Sequence, residues 1–151
     1  MTRLQVAVLA LLAPFAFAPL CDVRAQPASS PSEATAPSIL GVWKATIPGR
    51  GKGLVFKGEL VVNVATGPNL YSGVLTLRYP DGKRTVVQDA KISVEGSKVT
   101  IKCSVLGLIG FSPKGSYNAD EYLLTRSGNI MSGRSEDVSG YADQNNVFEK
   151  L

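Results

Sequence analysis

Regular alternation of apolar and polar residues constrains the fold of this chain more than any other feature of its sequence. From Gly41 onward, stretches of such alternation recur and are separated at short intervals by turn residues. In the stretch 70–79, for example, Leu75 and Leu77 fall on one face and Thr76 falls on the other. A period of two residues indicates a strand with one buried face. The sequence therefore predicts an antiparallel β-sandwich or β-barrel.

Eight stretches of this kind are present, and no periodicity of 3.6 residues indicates a helix after the N-terminal region. The predicted strands are 41–47, 54–64, 70–79, 84–94, 98–105, 117–126, 130–135 and 144–150. An apolar, glycine-containing loop is predicted over 106–115. Eight antiparallel strands in sequence order close naturally into a barrel, which removes exposed edges. We therefore predict an all-β fold, an eight-stranded antiparallel up-and-down barrel, with an open β-sandwich as the alternative.

The N-terminal region has the features of a secretion signal. Met1-Thr2-Arg3 is a short positive start, and residues 6–17 form an apolar run. Val23-Arg24-Ala25 presents small or apolar residues at the positions that signal peptidase reads. Cleavage is predicted after Ala25, because the alternative site after Ala18 would leave Pro19 next to the cut. The protein is therefore expected to be secreted or periplasmic.

Three segments follow from this interpretation. Residues 1–25 are predicted to be a signal peptide, and residues 39–151 a single β-barrel domain. The intervening residues 26–38 consist mainly of Pro, Ser and Ala and are predicted to be a disordered tether. The apolar run is shorter than the ~20 residues that span a bilayer, so a retained membrane anchor is disfavoured.

The number of cysteines left after cleavage limits the ways in which the mature domain can be stabilised. Cleavage would remove Cys21 and leave Cys103 alone, so no internal disulfide could form. Cys21 is itself a candidate for lipid attachment, but Leu20 before it is larger than the residue that bacterial lipoproteins place there. The fold must then be held by core packing.

Charge argues against a nucleic-acid partner. Cleavage would remove two arginines and one aspartate and so change the net charge from +4 to +3. The densest basic cluster, Arg50, Lys52 and Lys57, lies around a glycine-rich loop and is interpreted as solvated. We expect no nucleic-acid binding.

An outer-membrane barrel is the alternative for eight strands behind a secretion signal, and the polarity of the faces disfavours it. Membrane barrels are apolar outside and polar inside. Here the bulky apolar faces must share a core, while the opposite faces carry Lys57, Glu59, Arg78, Lys91 and Lys102. The protein is therefore predicted not to span a membrane.

Catalytic chemistry is not visible in the sequence. The chain has no histidine, which removes the commonest general base and the commonest metal ligand. Cys103 faces inward in the alternation and is interpreted as a small buried hydrophobe rather than a nucleophile. Asp120 and Glu121 are adjacent, so on a strand they would point to opposite faces. We predict no enzyme activity, no cofactor and no metal site.

The start of the first strand carries a resemblance to a known superfamily. Gly41-Val42-Trp43 resembles the Gly-x-Trp opening of the calycin barrels, which include the lipocalins and avidins. The resemblance implies that Trp43 plugs the closed end of the barrel and that a late Arg or Lys packs across it. Lys150 is the candidate for that residue, with Arg134 as the second. We accordingly assign structural roles to Trp43 and Lys150.

The layout is also similar to that of secreted bacterial inhibitors of metalloproteases, which are small eight-stranded barrels. In that family the N-terminal segment enters the protease cleft, a role that the resemblance would give to residues 26–38. Those inhibitors typically contain a disulfide, and this mature chain cannot form one internally.

Two functions are consistent with the sequence. The first is a non-enzymatic, lipocalin-like barrel that binds a small apolar ligand. The inward residues Gly58, Gly73 and Ala90 would leave space for a cavity, or would relieve crowding where strands bend. The candidate ligand contacts in the interior and at the mouth are Phe56, Leu60, Tyr71, Leu75, Cys103, Leu108 and Phe111.

The second function is a protein-binding module, such as a periplasmic protease inhibitor or an envelope accessory protein. The tether and the apolar loop at 106–111 motivate it, because exposed apolar segments mark partner surfaces. An open barrel interior would favour the small ligand, and a filled interior would favour a role for the surface.

Overall fold

The computed structural model of the protein describes residues 38–49 and 53–151. The predicted signal peptide, its cleavage site and residues 26–37 of the predicted tether lie outside the described residues. Two members of the basic cluster, Arg50 and Lys52, also lie outside them.

Eight strands form one closed barrel. They are β1 (Gly41–Pro48), β2 (Val55–Gly67), β3 (Leu70–Arg78), β4 (Thr85–Glu95), β5 (Lys98–Ile109), β6 (Asp120–Ser127), β7 (Ile130–Asp137) and β8 (Ala142–Lys150). Each strand pairs antiparallel with the next, and β8 pairs antiparallel with β1 to close the sheet. The predicted all-β, up-and-down barrel is confirmed, and the open sandwich is excluded.

The connections define two ends of the barrel. At the lower end lie the start of β1 and the β2–β3, β4–β5 and β6–β7 turns. At the upper end lie the β1–β2, β3–β4, β5–β6 and β7–β8 connections. No helix that is long and apolar enough to cross a membrane occurs in the described part of the chain.

Apolar side chains from all eight strands fill the interior. They form a single buried cluster with Ile39, which precedes β1. The largest fully buried apolar members are Trp43, Tyr122, Phe148, Ile39, Leu60, Leu75, Leu77, Ile101 and Met131. The alternation in the sequence produces this core, because successive side chains of a strand point to opposite faces.

The prediction that 106–109 belong to a loop is wrong. β5 continues to Ile109, and its last residues pair with the beginning of β4, where Thr85 faces Ile109 and Val86 faces Leu108. A register shift between Val87 and Gln88 accommodates the longer strand. β4 thus supplies a hydrogen-bonding template that the local composition of 106–109 does not reveal.

Two inward glycines allow strands to approach closely. A Cβ atom on Gly58 would lie 1.8 Å from the Thr76 carbonyl oxygen, and one on Gly73 would lie 2.2 Å from the Val61 carbonyl oxygen. Real Cβ atoms do not approach backbone at these distances, so a side chain is excluded at both positions. Of the two predicted roles for these glycines, the structure favours relief of crowding over the creation of a cavity.

The lower end is closed around Trp43. Its indole nitrogen donates a hydrogen bond to the Ile39 carbonyl at 2.8 Å. Lys150 Nζ lies 5.6 Å from the centroid of the indole ring, and Arg126 Cζ lies 5.4 Å from it. Arg126 was not singled out from the sequence, whereas Arg134, the second candidate, lies exposed on β7.

Candidate functional site

The barrel wall has a gap between β5 and β6 at the upper end. β5 pairs with β6 only over residues 98–102, because β6 begins at Asp120. Residues 103–109 of β5 therefore pair with β4 on one side, and no strand among residues 38–49 and 53–151 pairs with their other side. We call this second side the open edge of β5.

A cleft of about 540 Å³ lies in the gap. We call it the β5–β6 cleft. Its lining comes from β5, from the end of the β5–β6 connection, from β6, from the top of β7 and from the β7–β8 turn. The lining residues are Lys102, Cys103, Ala119, Asp120, Glu121, Leu123, Glu136, Asp137 and Val138.

Large apolar side chains are exposed in this cleft and along the part of β5 that extends beyond it. On β5, Leu106 is 63% exposed and Ile109 is 59% exposed, and Val105 between the cleft and these residues is partly exposed. Leu123 and Val138, which line the cleft itself, are also exposed. Exposed apolar residues gathered in one region, rather than scattered singly, mark interaction sites.

The lip of the cleft is acidic. Asp120, Glu121, Glu136 and Asp137 line it, and Lys102 is the one basic residue among the lining residues. Lys102 Nζ lies 3.4 Å from a carboxylate oxygen of Glu121, in an ion pair that is largely exposed to solvent. An exposed pair of this kind contributes little stability, so both groups are free to exchange partners.

Asp120 is a carboxyl of the cleft whose pKa is shifted by its surroundings. It is half-buried, and it accepts hydrogen bonds from the hydroxyls of Tyr117 at 2.5 Å and Tyr122 at 3.3 Å. Burial raises its pKa, the two hydrogen bonds oppose that rise, and the charges of Asp137 and Asp143 add to it. Burial is the largest of these effects, so the pKa is raised overall.

The raised pKa of Asp120 makes stability depend on pH in a predictable direction. The folded state holds the proton to higher pH than the unfolded chain, so stability falls as pH rises from the usual value of 3.8 through the raised pKa. We expect Asp120→Asn to reduce this fall, as measured by urea unfolding at pH 4 and pH 7. Glu149→Gln, at an exposed site on β8, is the control. If the free energy of unfolding of Asp120→Asn differed between pH 4 and pH 7 by as much as that of the unmodified protein, Asp120 would not be the source of the fall.

Asp137 stands opposite Asp120 in the β6–β7 ladder, but its environment has the reverse effect. Its Oδ1 accepts hydrogen bonds from the Ser139 hydroxyl, the Ser139 amide and the Tyr141 amide. These bonds, led by that from the Ser139 hydroxyl, lower its pKa. Two carboxyls with pKa values moved apart form an acid and base pair in some enzymes. Here, however, Asp137 is engaged in holding the β7–β8 turn.

Cys103 lines the cleft but is a poor nucleophile. Burial raises the pKa of its thiol well above the usual range, and the charges of Asp120 and Asp89 raise it further. The thiol therefore stays protonated at neutral pH, and reactive cysteines require the opposite. In the described part of the chain, no group of three or more acidic or sulfur ligands is arranged to hold a metal ion.

Among the described residues, three polar side chains are buried inside the barrel: Gln88, Ser135 and Asn146. The amide groups of Gln88 and Asn146 are fully buried and have no hydrogen-bond partner among the described residues. A buried amide without a partner costs about 1–3 kcal/mol. The alternation indicates Gln88, since it stands at an inward position between Val86 and Ala90. The alternation does not indicate Asn146, because the backbone is irregular at Asn145, whose φ is 66°.

The candidate ligand contacts predicted from the sequence lie in several separate places. Leu60 and Leu75 are fully buried in the core. Cys103 lies in the β5–β6 cleft, Tyr71 lines recesses on the opposite, lower half, and Leu108 pairs with the start of β4.

Phe56 and Phe111 are brought together at the upper end by Tyr79. The ring of Tyr79 packs edge-on against Phe56 at 4.7 Å and against Phe111 at 5.4 Å between centroids. Arg84 Cζ lies 4.1 Å from the centroid of Tyr79. Neither Tyr79 nor Arg84 was among the ligand contacts predicted from the sequence, although Tyr79, directly after β3, continues the inward register of that strand.

No protein-family model and no curated protein matches the chain significantly. The closed up-and-down barrel is consistent with a calycin-like fold, and the likeness is one of architecture.

Proposed function

We propose that this protein is a non-enzymatic binding module of the cell envelope that engages a protein partner at the β5–β6 cleft. The observation that carries the proposal is the contrast between a barrel interior filled with side chains and an open wall surrounded by exposed apolar residues. Leu106, Ile109 and Val138 are more than half exposed there. Exposing such side chains to water is unfavourable unless a partner covers them.

The filled core favours a surface role over a ligand held inside the barrel. Eight-stranded barrels either fill their interior with side chains or enclose one small ligand. In this chain Trp43, Tyr122 and Phe148 occupy the interior, and each is fully buried. The interior near Leu60 and Leu75 is likewise occupied, which leaves the ends and the outer wall as places for recognition.

The chemistry of the cleft supports binding rather than catalysis. The Cys103 thiol is held protonated, and the Asp137 carboxylate is engaged by its own turn. Neither group has the free, activated state that a nucleophile or a general base requires. The predicted secretion signal would put the expected partner outside the cytoplasm, in the periplasm or beyond it.

A photo-crosslinking amino acid at position 106 tests this function. Added to an envelope extract of the source organism, the protein carrying it there is expected to form a covalent adduct with one partner. The matched control carries the same group at Ile130, which is 47% exposed on β7 at the lower end. Leu106→Glu should compete poorly with the labelled protein, and Ile130→Glu should compete normally. Equal labelling from both positions, or none from 106, would refute the proposal.

A small apolar ligand is the second candidate function, and one recess favours it. At the lower end, about 230 Å³ is lined in part by Ile39, Tyr71 and Val94. Tyr71 is among the ligand contacts predicted from the sequence. Uptake of an apolar fluorescent probe that is lost in Tyr71→Ser and kept in Leu106→Glu would support this candidate over the first.

A further inference from the structure

We propose that the partner binds as an added β-strand: an extended segment with basic and apolar side chains pairs its backbone with the open edge of β5. This inference rests on the proposed protein-binding function and specifies its partner. Residues 103–109 span roughly 20 Å at ~3.3 Å per residue, which is room for a segment of about six residues.

The backbone of β5 supplies the template. An unpaired strand edge presents a row of N–H and C=O groups to any chain that lies alongside it. Among the described residues, no backbone hydrogen bond joins the β5–β6 connection to this edge, and the one within the connection runs from the Gly115 amide to the Ser112 carbonyl. Most barrels have no such edge, because closure pairs every strand along its length.

The side chains beside the edge define the apolar part of the partner. Leu106 and Ile109 project from β5, and Leu123 and Val138 stand across the cleft from it. In an added strand, alternate side chains face the same side, so one set would contact this apolar surface. A segment with every second residue apolar fits that arrangement.

The charges beside the edge define the rest of the partner. Four acidic residues line the cleft, and its one basic lining residue, Lys102, is already paired with Glu121. Basic residues on the added strand would pair with Glu136 at the lip, which increases both specificity and the rate of association. A second copy of this chain would instead bring the same acidic lip against its own, and that repulsion disfavours pairing between two open edges.

A labelled heptapeptide that alternates Lys and Val, with blocked ends, is the probe. By NMR, we expect it to bind the protein and to slow amide hydrogen exchange at residues 103–109. Methylating alternate backbone nitrogens of the peptide should weaken binding at least tenfold, because it removes the ladder hydrogen bonds and leaves the side chains. Replacing Lys by Glu should weaken binding to a similar extent.

A matched pair of protein variants tests whether the acidic lip of the cleft attracts the basic side chains of the peptide. Glu136→Lys, at the lip, should weaken binding of the Lys-Val peptide at least tenfold, whereas Glu149→Lys, exposed on β8 at the lower end, should leave it unchanged. Equal binding of the methylated peptide would overturn strand addition. So would slowed exchange at 103–109 in the concentrated protein alone, which would assign the edge to a second copy.

The two proposals fail in different ways. A specific adduct from position 106, combined with indifference to methylation, would leave the protein-binding function standing and remove the strand mechanism. Methylation-sensitive binding of the peptide without any adduct from position 106 would establish the edge as a peptide site and remove the envelope partner.

Discussion

Replacing Trp43 by alanine is expected to lower the free energy of unfolding by about 3–5 kcal/mol, the range for truncating a large buried aromatic side chain. Trp43 is fully buried, and its ring is the largest in the core. Its removal leaves a cavity at the lower end and deprives the Ile39 carbonyl of its 2.8 Å donor. Far-UV circular dichroism in urea measures the loss, since Trp43 is the one tryptophan of the chain and its fluorescence disappears with it.

Two further variants separate packing from the polar contacts of this ring. Trp43→Phe keeps most of the apolar volume and removes the indole nitrogen, so we expect a clearly smaller loss than for alanine. Lys150→Met removes the cation beside the ring and should cost less than about 1 kcal/mol, the scale of an exposed cation–π contact. A loss in Trp43→Ala no greater than that in Trp43→Phe would show that the ring does not support the core.

The order and closure of the strands were predictable because they depend on local pattern and short turns. Leu75 and Leu77 alternate with polar neighbours, and both are fully buried in the structure. Turns such as 80–83 bring each strand back beside the previous one, so that sequence order becomes spatial order. Closure then follows because an open sheet of eight strands would leave two edges exposed.

The irregular positions were not predictable from local pattern. Alternation along the stretch 54–64 predicts that Val64 shares the inward face of Leu60 and Val62, but register shifts between β2 and β3 follow Val62, and Val64 is 47% exposed. Beyond a bulge, the side chains change face while the sequence continues to alternate. The same reasoning applies to Asn146, whose burial depends on the irregular pairing of β7 with β8.

The β5–β6 cleft could not be predicted from the sequence for a related reason. It exists because β5 extends to Ile109 while β6 begins only at Asp120, and neither limit is marked by composition. Asp120 and Glu121 were expected on opposite faces, which is consistent with the hydrogen bond that the Tyr122 hydroxyl donates to Asp120 and with the ion pair between Glu121 and Lys102. Both nevertheless line one cleft, because the wall between the two faces is open there.

Gly58→Ala is the second substitution for which we expect a large effect, a loss of about 3 kcal/mol or more in the free energy of unfolding. Overpacking a well-packed site typically costs ~1–3 kcal/mol, and this site lies at the upper end of that range. The added methyl would lie 1.8 Å from the Thr76 carbonyl oxygen and 3.0 Å from the Leu77 Cα. Because these are backbone atoms, no rotation of a side chain relieves the contact, and β2 and β3 must separate.

The matched control is Gly107→Ala, another glycine within a strand. A Cβ atom at Gly107 has nothing within 4 Å, so alanine adds no clash there. It also removes the entropic cost of glycine in a strand, roughly 0.5–1 kcal/mol, so stability should be unchanged or slightly higher. Urea unfolding of both variants under one set of conditions makes the comparison. Equal stability of Gly58→Ala and Gly107→Ala would show that β2 and β3 do not require their close approach, and that the barrel tolerates more space between these two strands.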